Sequence, residues 1–340
     1  MNRRSSLVLA MLTFAGMIAP NWSVLAQSPE KTSITIGVGG KTVFYYLPLT
    51  IAQRRGYFAD QGLDVTVNDF AGGSKALQAM LGGSVDVVTG SYEHTINLQT
   101  KGQDIRGLVE LARSSCVLVV DKSKAGKIRT VADLKHARIG VSAPGSSTHF
   151  FALYLMSKVG LTNRDASFIG VGAGAGAVAA LQSGELDALS NVDPAISKLV
   201  LDGAVTILAD ARSAEGSQAL FGAQPPAAVL YAPKEFIDRY PATTQRLVNA
   251  FVKALDWLSK ASVEEIAATV PSAYLLGDKA LYVKALEANL GTFSKDGIPS
   301  MGDMRAALDT LVAFQPELQD ARIDLSKTFD DSFAKRARKD

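Results

Sequence analysis

Apolar positions along the first two thirds of the chain alternate between the spacing of strands and the spacing of helices. Residues 33–39 (SITIGVG) are rich in β-branched side chains and predict a strand, whereas residues 49–58 carry apolar side chains at helical spacing. The same order of strand, glycine-containing loop and helix starts again at Ala137. Strands that alternate with short helices in this way are typical of α/β folds with mostly parallel sheets.

The chain beyond Pro233 has a different pattern. Three long segments with helical periodicity dominate it, at residues 241–261, 278–290 and 301–314. We therefore expect two α/β lobes followed by a helical C-terminal extension.

One phrase of the sequence occurs twice, once in each α/β run. LGGSVDVVTG (residues 81–90) returns as QSGELDALSN (residues 182–191), and five identical residues in and before these stretches recur 101 positions later: Gly73/Gly174, Ala76/Ala177, Ala79/Ala180, Gly83/Gly184 and Asp86/Asp187. Two similar lobes would place this helix-turn-strand unit at matching positions, and the loops after their strands would form a ligand crevice. Chance recurrence in an alanine-rich chain is the alternative.

The N-terminus has the features of a secretory signal peptide. Arg3 and Arg4 precede an apolar run at residues 7–19, which is shorter than the roughly 20 residues that a membrane-spanning helix needs, and Ala26 occupies a cleavage position. We therefore expect residues 1–26 to be removed and the mature protein to be periplasmic. An uncleaved membrane anchor is the alternative.

Charge and metal-ligand residues argue against several classes of function. The chain has 35 Lys and Arg against 33 Asp and Glu, and cleavage would remove two Arg, so the positive surface of a nucleic-acid-binding protein is not expected. The three histidines are far apart and Cys116 is the single cysteine, so the sequence offers neither zinc-site spacing nor a disulfide within the chain. We expect no metal, no cofactor and no catalytic residue set, and a protein that acts as a monomer.

Two loops supply candidate ligand-binding residues. In the loop after the first strand, Lys41 offers a positive charge and Thr42 a hydroxyl, while Phe44 and Tyr45 can pack on a solute. The stretch APGSSTHFF brings three hydroxyls to a predicted helix N-terminus, where free backbone amides and the helix dipole favour an anion: Ser146, Ser147 and Thr148. Ordinary helix N-capping explains the same residues without a ligand.

Further candidates lie in the glycine loops and at the strand ends of the repeated phrase. The loops contribute Gly73 and Ser74 in the first run and Gly174 in the second. At the strand ends we expect four side chains to project into the crevice: Ser91, Tyr92, Asn191 and Asp193. The last of these serves equally well as a helix cap. Glu93 and His94 are expected to be solvated residues of the next helix.

Four stretches, in chain order, resemble bacterial solute-binding proteins of the nitrate, sulfonate and taurine uptake class, including aliphatic sulfonate-binding and thiamine-pyrimidine-binding relatives: YYLPLTIAQRRGYFADQGLDVTV, GGSKALQAMLGGSVDVV, TVADLKHARIGVSAPGSSTHF and ALQSGELDAL. A GYF followed by GLDV after the first strand is typical of that family. The resemblance extends from about Ile34 to about Leu258. It implies a type II periplasmic binding protein, in which the chain crosses twice between two α/β lobes joined by a two-strand hinge.

By this resemblance, the first lobe would comprise residues 28–120 and 231–340, and the second lobe residues 121–230. The segments CVLVV and PPAAVLY would be the strands that cross between the lobes. Proteins of this family deliver a captured solute to an ABC permease with a cytoplasmic ATPase, so these subunits are the expected partners.

The expected function is capture of a small organic anion, of the sulfonate, nitrate or carboxylate type, between the lobes. An aromatic or heteroaromatic solute such as a thiamine-precursor pyrimidine is the alternative that the aromatic residues favour. An exported hydrolase or oxidoreductase is a third alternative, because GVGAGAGA can be matched to a dinucleotide-binding loop. The enzymes of this superfamily that make the thiamine pyrimidine carry a cysteine-rich segment, which this sequence lacks.

Overall fold

The computed structural model describes residues 28–338. The expected signal peptide, residues 1–26, lies outside the described residues. Within them, no helix combines the length and the apolar character that crossing a membrane requires.

The first of two five-stranded sheets combines four strands from the start of the described chain with one strand that follows the second sheet. Its strands, in spatial order, are β2 (Asp64–Phe70), β1 (Ser33–Gly39), β3 (Val87–Ser91), β10 (Pro226–Pro233) and β4 (Ile105–Arg113). β1 is parallel to β2 and β3, and β10 is antiparallel to β3 and β4.

The second sheet repeats this topology with strands from the middle of the chain. Its strands, in spatial order, are β7 (Ser167–Gly170), β6 (Arg138–Val141), β8 (Ala188–Asn191), β5 (Val117–Asp121) and β9 (Val205–Asp210). β6 is parallel to β7 and β8, and β5 is antiparallel to β8 and β9. The expectation of parallel pairing therefore holds for three strands of each sheet, and the fourth strand runs against both neighbours.

Helices pack on each sheet and dominate the end of the chain. The chain segments that form the first sheet and continue into the C-terminal region contain α1 (Leu47–Arg54), α2 (Tyr57–Asp60), α3 (Gly73–Leu81), α4 (Glu93–Gln99), α9 (Lys234–Arg239), α10 (Pro241–Leu258), α11 (Val263–Thr269), α12 (Lys279–Asn289), α13 (Met301–Val312) and α14 (Ser332–Ala337). The second carries α5 (Ser147–Ser157), α6 (Ala175–Gln182), α7 (Ala195–Leu201) and α8 (Ala214–Phe221). The predicted α/β class and helical C-terminal region are confirmed.

Each sheet with its helices forms a lobe, and two short connections join the lobes. We call residues 28–113 and 226–338 lobe 1, and residues 117–221 lobe 2; the connections are residues 114–116 and 222–225. The two strands expected to cross between the lobes do not cross, because β5 lies wholly in the second sheet and β10 wholly in the first. The sheets therefore separate a few residues earlier than the limits expected at residues 120 and 230.

The repeated phrase forms matching elements, α3 with β3 in lobe 1 and α6 with β8 in lobe 2. The turn between helix and strand has a glycine with positive φ in both lobes, 74° at Gly83 and 77° at Gly184, a conformation that other residues rarely adopt. Asp86 then accepts a hydrogen bond from the Thr35 amide of β1 at 2.9 Å. Its counterpart Asp187 accepts one from the amide of Arg138, where β6 begins, at 2.8 Å. In each lobe, the repeated Gly thus forms the turn between helix and strand, and the repeated Asp bonds the start of that strand to the neighbouring strand.

The inner strands of both sheets are buried. All of β3 and residues 117–120 of β5 are buried, which requires packing on both faces of the sheet. The edge strand β2 instead alternates between exposed and partly buried positions. The amphipathic α10 buries Leu247, Phe251 and Leu255 in the lobe 1 core.

Candidate functional site

A small cavity of about 20 Å³ lies where the two lobes meet, beside both connections. It is lined by residues of lobe 1, lobe 2 and the connections: Tyr45, Glu93, Ser114, Cys116, Ser147, Phe151, Phe221, Pro225, Pro226, Ala227, Ala307 and Thr310. Such a volume holds roughly one water molecule. A solute therefore needs the lobes to move apart before it can enter, as in hinged domain closure.

The Tyr45 side chain forms one wall of the cavity and is tied to the first connection. A 3₁₀ turn, Phe44–Tyr46, directs it there from the loop after β1. Its hydroxyl accepts a hydrogen bond from the Ser115 amide at 2.9 Å and lies 3.4 Å from the Cys116 sulfur. Burial raises the pKa of Cys116 to about 12, so this thiol stays protonated and is a poor nucleophile.

Glu93 is the acidic group of the cavity, where it is half-buried, whereas the sequence predicts a solvated position on the next helix. It begins α4 two residues after β3 ends, and the Ser91 hydroxyl donates a short hydrogen bond to its Oε2. Because burial removes water from the carboxyl group, the pKa of Glu93 rises to about 7. Within residues 28–338, no Lys, Arg or His side chain forms an ion pair with it. Ser91, a predicted site residue, thus acts on Glu93.

His94 links the two lobes and is also not solvated as expected. Its Nε2 lies 3.0 Å from the Gly145 carbonyl of lobe 2, and its Nδ1 lies 3.2 Å from the Tyr231 hydroxyl. Because a carbonyl only accepts, Nε2 carries the proton and Nδ1 accepts from the tyrosine. Burial lowers the pKa of His94 to about 4, so the ring is neutral near pH 7.

The glycine loop of lobe 1 is joined directly to the helix start of lobe 2. The Ser74 amide donates to Ser146 Oγ at 3.0 Å, and Ser74 Oγ donates to the Pro144 carbonyl at 2.9 Å. Gly72 lies so close to lobe 2 that an added Cβ would be 2.8 Å from Cβ of Ala143. The adjacent Gly73 faces His94. The structure therefore brings Gly73, Ser74 and Ser146 together across the lobes, as the sequence predicts.

The three hydroxyls at the start of α5 have different surroundings. Ser146 is occupied by Ser74, and Thr148 Oγ1 accepts from the Ser142 amide at 3.0 Å. Only Ser147 lines the cavity. Two of the three expected anion-binding hydroxyls are thus already bonded within the protein.

Asp193 holds the lobes together and does not project freely into the cavity. Its side chain is fully buried; Oδ2 accepts from Asn289 of α12 at 2.6 Å and from Arg212 at 3.3 Å, and Oδ1 accepts from the Ser197 amide at 2.7 Å. Its carbonyl accepts from the Phe44 amide at 3.1 Å. Asp193 thus bonds a backbone amide in the first turn of α7 and also contacts lobe 1.

The other predicted site residues lie around the cavity or away from it. Phe44 packs edge-on against Tyr282 in the core with ring centroids 5.0 Å apart, and Thr42 faces Gly174 across the lobes. Three more of the predicted site residues do not direct their side chains into the cavity as expected. Tyr92 is fully buried with its hydroxyl 2.6 Å from Thr328, the Asn191 amide donates to the Gly172 carbonyl, and the exposed Lys41 contacts Asp69 through its backbone.

Among the described residues, no three His, Cys, Asp or Glu side chains are grouped closely enough to hold a metal ion. The GVGAGAGA loop packs against lobe 1: Gly172 lies near the Ala71 carbonyl and Gly174 near Thr42. This contact gives the loop a role in joining the lobes.

Comparison with known proteins identifies the family. Residues 27–272, well over half of the chain, match the profile of the NMT1-like family. The chain belongs to the NMT1-like family. A solved structure from Bordetella bronchiseptica RB50 resembles this NMT1-like protein with 46% identity and a TM-score of 0.89, covering 92% of this chain and 99% of that one.

A more distant structure establishes the type of fold. The alkanesulfonate-binding protein SsuA from Xanthomonas axonopodis pv. citri, solved bound to MOPS, has a TM-score of 0.70 and 22% identity, with 89% of this chain and 99% of that chain covered. At this identity the likeness concerns the fold alone. The NMT1-like chain thus has the fold of the binding proteins that serve ABC importers.

Curated relatives match only a part of their length. One is the binding protein YtlA of Bacillus subtilis, 31% identical over 88 residues, or 26% of either chain. Another is the 4-amino-5-hydroxymethyl-2-methylpyrimidine phosphate synthase THI11 of Saccharomyces cerevisiae, 26% identical over 96 residues, or 28% of either chain. Solute-binding proteins and a synthase therefore both occur among the relatives of this NMT1-like protein.

Proposed function

We propose that the protein is the periplasmic solute receptor of an ABC importer and binds a small molecule between its two lobes. One observation carries the proposal: a single cavity is bounded by both sheets' loops and by both connections. A solute held between the lobes contacts both at once and favours a closed form whose cavity is wider than the one-water volume of this structure. That closed form would then dock on a permease with its ATPase.

The lining of the cavity supports binding without chemical conversion. Its thiol is protonated, and its carboxyl group has a serine hydroxyl beside it. The synthase among the relatives favours a second candidate, an enzyme that acts on a pyrimidine. Only a quarter of that enzyme's length is matched, so we place binding first.

A thermal-shift screen of the purified protein tests capture directly. The compounds are sulfonates, nitrate, aromatic carboxylates, pyrimidines and organic amines. A bound solute raises the melting temperature by mass action, by an amount that grows with its concentration. If no compound stabilises the protein, the receptor proposal fails.

Two further measurements separate receptor from enzyme and from a receptor with another task. After overnight incubation, mass spectrometry should recover the stabilising compound unchanged; a product would support the enzyme. Deletion of the gene from its host should reduce uptake of the labelled compound. Normal uptake would contradict the importer role and leave the binding result intact.

A further inference from the structure

Glu93 differs from three other partly or fully buried carboxylates, because no positive partner pairs with it within residues 28–338. Asp193 pairs with Arg212, Glu110 lies 3.9 Å from Arg113, and Asp187 pairs with Arg138. The partners of Glu93 are the Ser91 hydroxyl and its own backbone amide, neither of which is charged. A buried carboxylate without a counterion is costly unless it is protonated or a cation arrives.

The groups around Glu93 do not supply that cation. The ionisable side chains that face it are Tyr45, Tyr46, Tyr92 and Cys116, and burial raises the pKa of each of them. All four are therefore neutral near pH 7, and any positive charge has to come with the solute.

The remaining cavity lining suits an apolar body and contains no positively charged side chain. Phe151, Phe221, Pro225 and Pro226 supply apolar walls, and the polar atoms besides Glu93 are hydroxyls, a thiol and backbone groups. No Lys or Arg is among the lining residues. An anion here would meet a carboxyl group at close range and lack a positive partner.

We infer that the solute is a small organic cation, a protonated nitrogen base whose N–H groups donate to the Glu93 carboxylate. The inference rests on the proposed function, since it names the class of solute that the same cavity takes. It replaces the organic anion expected from the sequence, because Lys41 is exposed and the Ser146 and Thr148 hydroxyls are already bonded. Charge-assisted hydrogen bonds of this kind are about twice as strong as neutral ones.

Binding of such a cation is linked to the proton on Glu93. The free protein holds that proton up to about pH 7, where the carboxyl group titrates. A cation binds the ionised form, so its affinity should rise as the pH is raised from 5 and level off above 7. Each pH unit below 7 should reduce the affinity up to roughly tenfold, since one proton is exchanged.

The test compares matched compounds on the parent protein, on E93Q and on the control E235Q. The control makes the same change at an exposed acidic residue. Thermal shift at pH 8 is measured with benzamidine, benzamide and benzoate as cation, neutral compound and anion of one shape, and with wider sets of amines, neutral heterocycles, carboxylates and sulfonates. We expect stabilisation by cations only, a loss of affinity of tenfold or more in E93Q, and no change in E235Q.

The outcomes distinguish this inference from the proposed function. Stabilisation by anions, or stabilisation of E93Q as strong as that of the parent protein, refutes the inference of a cationic solute. Either result leaves the proposed receptor role intact. Stabilisation by no compound overturns both. If E93Q does not fold, the pH dependence of cation affinity in the parent protein decides, and an affinity that is flat between pH 5 and 8 refutes the inference.

Discussion

The two lobes each place an acidic residue two positions after the third strand of their sheet, and the two acids have opposite surroundings. Asp193 follows β8 and is held by a guanidinium, an asparagine amide and a backbone amide. Glu93 follows β3 and has a single serine hydroxyl besides its own amide. Groups of the protein already bond both oxygens of the Asp193 carboxylate. The Glu93 carboxylate lines the cavity and can accept further hydrogen bonds.

The comparison shows that position in a repeated framework does not determine a residue's role. Both acids lie at the C-terminal edge of a sheet, where ligands bind in α/β folds. Their partners separate them: an acid with three donors, one of them a partly buried cation, contributes to stability, whereas an acid without a cation is available to a solute.

Replacing Asp193 should reduce the free energy of unfolding more than the other changes proposed here. It tests whether Asp193 contributes to stability while Glu93 does not. Asp193→Ala leaves the buried Asn289 amide and the Ser197 N–H without their acceptor, so we expect a loss of about 3–5 kcal/mol in the free energy of unfolding. Glu93→Ala should cost far less, because it removes a carboxylate with no counterion. Urea denaturation measures both, and Asp202→Ala, which breaks an exposed pair with Lys198, should cost under about 0.5 kcal/mol. Equal losses at positions 93 and 193 would break the comparison.

Replacing either of the repeated Asp residues should destabilise the protein by a similar amount if the two lobes have equivalent structures. Asp86→Ala and Asp187→Ala each remove a charged acceptor from the amide of a neighbouring strand, so we expect about 2 kcal/mol for each. Hydrogen bonding by Arg138 lowers the pKa of Asp187, so its contribution is present above the unfolded pKa near 4 and is lost as the pH falls through the lower folded value. Denaturation at pH 7 measures both losses. A large loss in one lobe alone would show that the repeat is not structurally equivalent.

Closure should depend on the tight loop of lobe 1 more than on its counterpart in lobe 2. Gly72 has extended backbone that any residue adopts, so Gly72→Ala acts only through the approach of its Cβ to Ala143 at 2.8 Å. We expect tenfold or more weaker binding of the stabilising compound, and no contraction on binding in X-ray scattering. Gly174→Ala, whose Cβ would lie 3.4 Å from Thr42 Oγ1, should change affinity less than about threefold, or about 0.6 kcal/mol. Equal effects at the two positions would contradict this asymmetry.

Buried tyrosine hydroxyls should give the smallest effects. Tyr92→Phe loses the hydrogen bond to Thr328 and should cost about 1 kcal/mol without altering affinity. Tyr154→Phe in lobe 2 loses the bond to the Leu220 carbonyl and is the matched change. Calorimetric melting measures the stability, and thermal-shift titration the affinity. Weaker ligand binding in Tyr92→Phe alone would return Tyr92 to the site.

Sequence periodicity and the repeat indicated two similar α/β lobes, because strand and helix spacing reflects which faces are buried, and the family resemblance implied the two-lobe binding-protein fold. They also predicted that Gly73, Ser74 and Ser146 belong near the crevice. Side-chain partners far along the chain were not predictable: Asn289 lies 96 residues from Asp193, and Thr328 lies 236 residues from Tyr92. Glu93 was missed because an acid that opens a helix is ordinarily solvated. Its spacing from the strand end, equal to that of Asp193, was the available signal.

The direct bonds across the lobes have a consequence for affinity. The Ser74 and His94 contacts with residues 144–146 involve no bound molecule, so they lower the free energy of the closed shape by themselves. The observed affinity for a solute depends on the fraction of the protein that already has the closed shape. The solute has to provide only the remaining free energy of closure. Changes to these interlobe hydrogen bonds can therefore alter the affinity for a solute without changing any direct contact with it.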